Sequence, residues 1–157
     1  MIKHTTSQAG LALIAKSEGC RATRYRCPAG LETIGYGHVI SKNERHLRDA
    51  TLTEAQALTL LKSDCLIAEK TVNDRVCLPL NQNQFDALVS LVFNIGGGAF
   101  LHSTLLKKLN AGDFISAAQE FLRWDKSANR TLPGLTARRR EEHDLFLTPP
   151  HETEQKA

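Results

Sequence analysis

No apolar run in the chain approaches the length of a membrane span, so it is not read as an integral membrane protein. It carries no Cys-x-x-Cys pair and no histidine cluster at ligand spacing, and a metal site is not expected. Aromatic residues are 6% of the total, they are not interleaved with basic residues, and no nucleic-acid motif is present; a nucleic-acid partner is not expected. The N-terminus, Met-Ile-Lys-His-Thr-Thr-Ser-Gln, is polar, and the apolar stretch from Gly10 to Ala15 is too short for the h-region of a signal peptide. Accumulation in the cytoplasm is the resulting expectation.

What is present is ordinary for one soluble domain: 157 residues, 41% hydrophobic and 24% charged, enough chain to fold alone and to form two lobes on one core. Four cysteines would supply two disulfides, but a cytoplasmic chain of this size needs none, and free thiols are expected. Cys65 and Cys77 belong to one expected helix, where twelve residues span about 18 Å, beyond disulfide reach. Cys20 and Cys27 are the pair left to approach across a hairpin. The net charge of +3 is unevenly spread. Arg123, Lys126, Arg130, Arg138, Arg139 and Arg140 stand against Asp125, which points to a polyanionic partner unless the run is simply the solvated face of a helix.

Leu11, Ile14, Ala15 and Glu18 step by i, i+3, i+4 and i+7, so a helix capped by Thr6 or Ser7 carries Glu18 at the end of its apolar stripe, and Gly19 stops it. A carboxylate at the edge of a core is partly desolvated, which raises its pKa and suits it to general-acid work. Arg24 to Arg26, Thr33 to Tyr36 and Val39-Ile40 are short β-prone runs broken by Cys-Pro-Ala-Gly and by Gly35 and Gly37, the composition of a small antiparallel sheet. Leu58, Leu61, Cys65, Ala68 and Val72 form one stripe of about five turns in a long helix capped by Thr51 or Thr53. Phe85, Leu88, Val89, Val92 and Phe93 mark a core helix that begins near Asn81 and ends at Asn94-Ile95-Gly96-Gly97-Gly98. Two further helices are capped by Ser103 and Asp113, Arg-Arg-Arg-Glu-Glu begins another, and the residues after Phe146 read as a polar tail.

The order Glu18, eight residues, Cys27, five residues, Thr33, then Gly35-Tyr36-Gly37-His38, resembles the signature of the phage-type lysozymes, or endolysins, of glycoside hydrolase family 24. That signature is Glu, eight residues, Asp or Cys, five residues, Thr, with Gly-aromatic-Gly-His close behind. The block from Phe93 to Asp113 and the run from Trp124 through Pro-Gly-Leu-Thr-Ala-Arg-Arg-Arg-Glu-Glu are similar to the same family, so the resemblance covers most of residues 8 to 147. A helix and an unrelated hairpin with Glu18 merely solvated would reproduce the first spacing but not these downstream blocks.

The resemblance implies an α+β, mostly α, lysozyme-like two-lobe fold. A small antiparallel β-hairpin lobe would occupy about 19–52, a connecting helix about 53–76 and a helical lobe about 77–147, with the helix over 7–18 packed near the junction. It implies hydrolysis of the β-1,4 bond between N-acetylmuramic acid and N-acetylglucosamine in bacterial peptidoglycan, with no cofactor, by a monomer that a holin lets through the membrane. The alternatives are a lytic transglycosylase and a non-hydrolytic wall-binding relative. Glu18 is the implied acid, Cys27 takes the family's aspartate position, and Thr33 takes the threonine that holds the attacking water. Phe93 and Ser103 match groove-lining positions, and Arg138 matches, across a length difference, the family's arginine near the acid. A Cys27 thiolate would serve as base or nucleophile, favoured by Arg24 or Arg26 if either turns toward it and opposed by Glu18; the alternative is a small apolar residue packed in the hairpin, with Thr33 alone orienting the water. His38 is read as a buttress of the sheet and His102 as a surface residue.

Overall fold

A computed structural model describes residues 3–150. The chain divides into two compact units: Leu11–Leu66, and the residues up to Gly10 together with those from Ile67 onward. The expected mostly helical α+β architecture is what the structure has.

Helix α1 (Gln8–Glu18) starts and stops for local reasons. Ser7 Oγ accepts the Gly10 N–H at 3.2 Å, an N-cap, and Gly19, at φ 71°, turns its N–H back to Ala15 O at 3.0 Å in the left-handed conformation that closes a helix. The chain then forms β1 (Arg21–Arg26), β2 (Glu32–Gly35) and β3 (His38–Val39), an antiparallel sheet in that order. Arg26 stands opposite Glu32, Tyr25 opposite Thr33, and Ile34 opposite His38. The β1–β2 turn is closed twice, by Gly30 N–H to Cys27 O at 2.8 Å and by Cys27 N–H to Leu31 O at 3.0 Å, with Pro28 fixing its entry and Gly30 at φ 82°. A 3-10 helix (Lys42–Asp49) and α2 (Glu54–Asp64), capped by Thr53, complete this unit around Ile14, Ile34, Leu47, Ala57, Leu61 and Cys65.

The single long helix expected over 53–76 is a correction: it is two helices, α2 and α3 (Leu66–Arg75). The apolar stripe does run through the break, since Leu61, Cys65, Ala68 and Val72 are all buried. Cys65 keeps right-handed angles (φ −73°, ψ −15°), and its N–H still reaches Leu61 O at 2.9 Å, so the hydrogen-bond ladder pauses there without reversing the chain. Neither proline nor glycine marks the point.

In the other unit, Thr6 and Ser7 hold the start of α1. The Thr6 N–H and hydroxyl both donate to Glu69 Oε1, at 2.9 and 2.6 Å, and the Ser7 N–H donates to Asp86 Oδ1 at 3.0 Å. Gly10 lies so close to Asp86 that a Cβ would come within 2.6 Å of its carboxyl carbon, which explains a glycine in a helix interior. Helix α4 (Gln82–Ile95) begins at a reciprocal cap between Asn81 and Gln84 and ends at Gly96, φ 89°. Gly97 and Gly98, expected as part of a loop, instead open a short helix, α5 (Gly97–Leu101). Ser103 and Asp113 cap α6 (Thr104–Asn110) and α7 (Phe114–Glu120) as expected.

A hairpin, β4 (Lys126–Ser127) and β5 (Arg130–Thr131), follows, turning through Ala128 and Asn129, both at positive φ. Helix α8 (Pro133–Leu147) starts at Pro133, before the Arg-Arg-Arg run, because proline suits the first helical position. It packs on α4, and Phe85, Leu88, Leu91, Phe100, Leu105, Leu109, Phe121 and Phe146 are fully or almost fully buried. Of the expected tail, Thr148 is still tied to Asn83, whose Nδ2 donates to its carbonyl at 3.0 Å; residues 151–157 lie outside the described range.

Candidate active site

Glu18, Cys27 and Thr33 all lie within Leu11–Leu66. Glu18 is the last residue of α1 and is half-buried. A Cβ on Gly37 would come within 3.6 Å of its Oε2, so the carboxylate rests over the glycine of the Gly-Tyr-Gly-His run, and Gly37 takes φ 80° there. Thus the two parts of the signature meet around the carboxylate.

Cys27 sits at the end of β1, on the turn. Hydrogen bonding from the Leu31 backbone does most to hold its thiol below the ordinary thiol pKa; burial opposes this, and the Ala29 backbone and the Thr33 hydroxyl add to it. Thr33 is 2% exposed and donates its hydroxyl proton to Leu31 O at 3.0 Å. Its oxygen lone pairs remain able to accept, and if the thiol ionises the same proton is available to it.

Two expectations about this thiol are corrected. Arg24 and Arg26 do not turn toward Cys27: both pair with Glu32, and the thiol is tuned by the turn's backbone. Cys20 and Cys27 flank the whole of β1, about 20 Å of extended chain, which no disulfide spans, and Cys20 instead contacts Tyr36. None of the four cysteines is in a disulfide, and Cys65 is buried.

Phe93, Ser103 and Arg138 belong to the other unit. Phe93, near the end of α4, is partly exposed. Ser103 is buried as the α6 cap; it donates to Phe100 O at 2.6 Å and accepts from Leu106 N at 3.1 Å. Arg138 is 6% exposed, with Nη2 donating to Ser90 O at 3.2 Å and Nε 3.4 Å from Glu142 Oε2. Arg139 is fully buried, with Nε 2.8 Å from Glu142 Oε1 and Nη2 donating to Asn94 Oδ1 at 3.0 Å. Burial pushes the Glu142 carboxyl up, against the pull of Arg139, the Ser90 hydroxyl and Arg138. The basic run near the C-terminus is thus partly interior, and two of its six cations are not presented to any partner.

His38 does more than buttress a sheet. Its Nδ1 lies 2.9 Å from Asp64 Oδ2 and its Nε2 3.0 Å from Glu44 Oε1, so one ring ties β3 to α2 and to the 3-10 helix. Burial works against the charged ring, but hydrogen bonds to Asp64 and Glu44 outweigh it and raise the pKa. Sequence reasoning missed both partners, since neither is near His38 in a periodic pattern. It also missed the ring of Arg24, Arg26 and Arg48 around Glu32, although Arg26 and Glu32 flank the hairpin turn and so signal a cross-strand pair.

A family model described as Phage lysozyme matches residues 15–142. An endolysin of Acyrthosiphon pisum secondary endosymbiont phage 1 is 46% identical over 144 residues, which are 89% of this chain and 96% of that protein. Of solved structures, the muramidase domain of SpmX from Asticaccaulis excentricus has a TM-score of 0.84 at 43% identity, covering 93% of this chain and 99% of that one. A P22 lysozyme mutant has a TM-score of 0.86 at 38% identity, covering 92% and 99%.

Proposed function

Because the chain belongs to the phage lysozyme family, we propose that it hydrolyses the β-1,4 bond between N-acetylmuramic acid and N-acetylglucosamine in peptidoglycan and so lyses the bacterial host. The observation that carries the mechanism is the β1–β2 turn, where a thiol with a depressed pKa shares Leu31 with a threonine whose lone pairs are free to accept. Glu18 gives its proton to the leaving glycosidic oxygen. A water held by Thr33 attacks the sugar carbon from the other side, and the Cys27 thiolate takes the proton that the water releases. Phe93 stacks on a sugar ring, and Ser103 and Arg138 act on the substrate through the elements they fix, α6 and the α4–α8 pair.

Action is at the cell wall. We further propose a monomer released by a holin, which fits a chain in which no described helix is long and apolar enough to cross a membrane.

Glu18→Gln tests the reading. It keeps the side chain's shape and removes the proton, so folded protein should lose at least 100-fold in release of reducing ends from purified peptidoglycan. Near-wild-type release would remove Glu18 from the mechanism, and anhydro products in the muropeptide mass spectrum would make the wild-type enzyme a lytic transglycosylase.

A further inference from the structure

Positive charge is concentrated on the surface of the hairpin segment, on side chains that the proposed reaction does not use. Residues 21 to 48 carry six Arg and Lys against two Glu, more than the excess of the entire chain, and all six cations are exposed. Three of them converge on one carboxylate: Arg48 Nη2 lies 2.7 Å, Arg24 Nη1 3.2 Å and Arg26 Nη2 3.9 Å from the same oxygen, Glu32 Oε1. Together with Tyr25 they line a hollow of about 300 Å³. Hydrogen bonding from Arg48 above all holds the Glu32 carboxyl below its usual range, so the carboxylate is charged and still leaves two cations in excess.

Ion pairing to Glu32 does not account for three arginines here, although Arg26 Nη1 also donates to Gly30 O at 3.0 Å. An exposed ion pair contributes little, and one arginine would satisfy Glu32. The guanidinium groups keep donors on the solvent side, with side chains 40%, 71% and 46% exposed for Arg24, Arg26 and Arg48. Arg26 shares a face of the hairpin with Glu32, whereas Thr33, one residue on, points by strand alternation to the other. Thr33 itself is not among the residues that line the hollow, although its cross-strand partner Tyr25 is.

We propose that this arginine hollow is an exosite for peptidoglycan carboxylates, those of stem peptides on glycan strands other than the one being cleaved. The proposal rests on the peptidoglycan reading above. Forked guanidinium groups suit planar carboxylates, and an array of stem peptides presents them repeatedly, so a weak site gains by rebinding along the wall. The hollow holds the enzyme on the polymer between cuts.

The test measures binding separately from cleavage. Full-length protein carrying Glu18→Gln is pelleted with purified sacculi at low salt, alone and with Arg24→Gln, Arg26→Gln and Arg48→Gln combined. The charge-matched control combines Lys107→Gln, Lys126→Gln and Arg130→Gln. Loss of three exposed pairings should weaken wall binding by between about threefold and 150-fold in the hairpin triple, with a flatter salt dependence, and by clearly less in the control. Sacculi whose carboxylates have been amidated should bind wild-type and triple variant equally weakly. On a short, uncharged glycan substrate, the hairpin triple in an otherwise wild-type chain should match wild-type turnover. Should the triple variant misfold, Arg26→Gln, the most exposed of the three, still gives a measurable shift. Equal losses in the two triples, or unchanged binding to amidated sacculi, would overturn the proposal. Competition by polyphosphate without any effect of amidation would also overturn it, by naming a phosphate polymer as the ligand. An absence of cleavage in wild type would fault the enzymatic reading and leave these binding results standing.

Discussion

At Cys27 the structure replaces one explanation of reactivity with another. The arginines beside it in sequence are drawn away to Glu32, and the turn's own backbone stabilises the thiolate. The proposed base must be deprotonated to work, so activity should rise with pH through a thiol titration lying below the ordinary thiol range. Cys27→Asp should stay active and move that rise toward the carboxylate range, while Cys27→Ser should lose about 100-fold or more in kcat, and alkylation of the wild type should inhibit. The pH–rate profiles of the three proteins decide it; full activity in Cys27→Ser would leave the thiol a packing residue. That Glu18, Cys27 and Thr33 fall in one unit was readable, because they are close in sequence. The pairing of Arg24 and Arg26 was not, because it depends on which way side chains leave β1 and on Arg48 arriving from a distant 3-10 helix.

At the scale of elements, two charged clusters join segments that propensity alone would leave loosely connected. His38 joins β3, the 3-10 helix and α2. Its folded pKa is raised, so its stabilisation is fully present below the unfolded value of about 6.5 and is lost as pH rises through the folded value. His38→Asn should therefore cost about 1–2 kcal/mol near pH 5.5, discounted for the solvent reaching both carboxylates, and much less near pH 9. Urea unfolding at both pH values measures this, and an equal cost at both would show that the charge is irrelevant.

The second cluster, between α4 and α8, is fully interior. Glu142→Gln leaves the buried Arg138 and Arg139 without their carboxylate, and should cost about 3–5 kcal/mol in chemical denaturation. A cost under 1 kcal/mol would mean that the arginines' remaining partners, Ser90 and Asn94 among them, suffice. Helices such as α4 were legible because Phe85, Leu88, Val89 and Val92 follow the helical period and Asn81 caps them. The β4–β5 hairpin was not: its turn uses Ala128 and Asn129 at positive φ, where Asn-Gly would have announced it. The pause at Cys65 leaves the apolar stripe intact, so periodicity reads straight across it.

For the whole molecule, the division of the chain at Gly10 and Ile67 gives one sequence two unequal cores. Leu11–Leu66 buries Ile14, Ile34, Leu47, Ala57, Leu61 and Cys65, and all of β1 is exposed except half-buried Tyr25. The other unit buries four phenylalanines, Phe85, Phe100, Phe121 and Phe146, each contributing about 1.5–3 kcal/mol, besides its leucines. Local opening should follow that inequality. In native-state hydrogen exchange at increasing urea, amides of β1 and β2 should exchange through an opening of lower free energy than those of α4 and α8. His38→Asn should lower only the first opening, and Glu142→Gln mainly the second. Because Glu18, Cys27 and Thr33 all lie in the weaker unit, lytic activity should disappear at urea concentrations where α4 and α8 are still protected. A single opening free energy shared by both groups of amides, with activity lost only at global unfolding, would show that the two cores act as one cooperative unit.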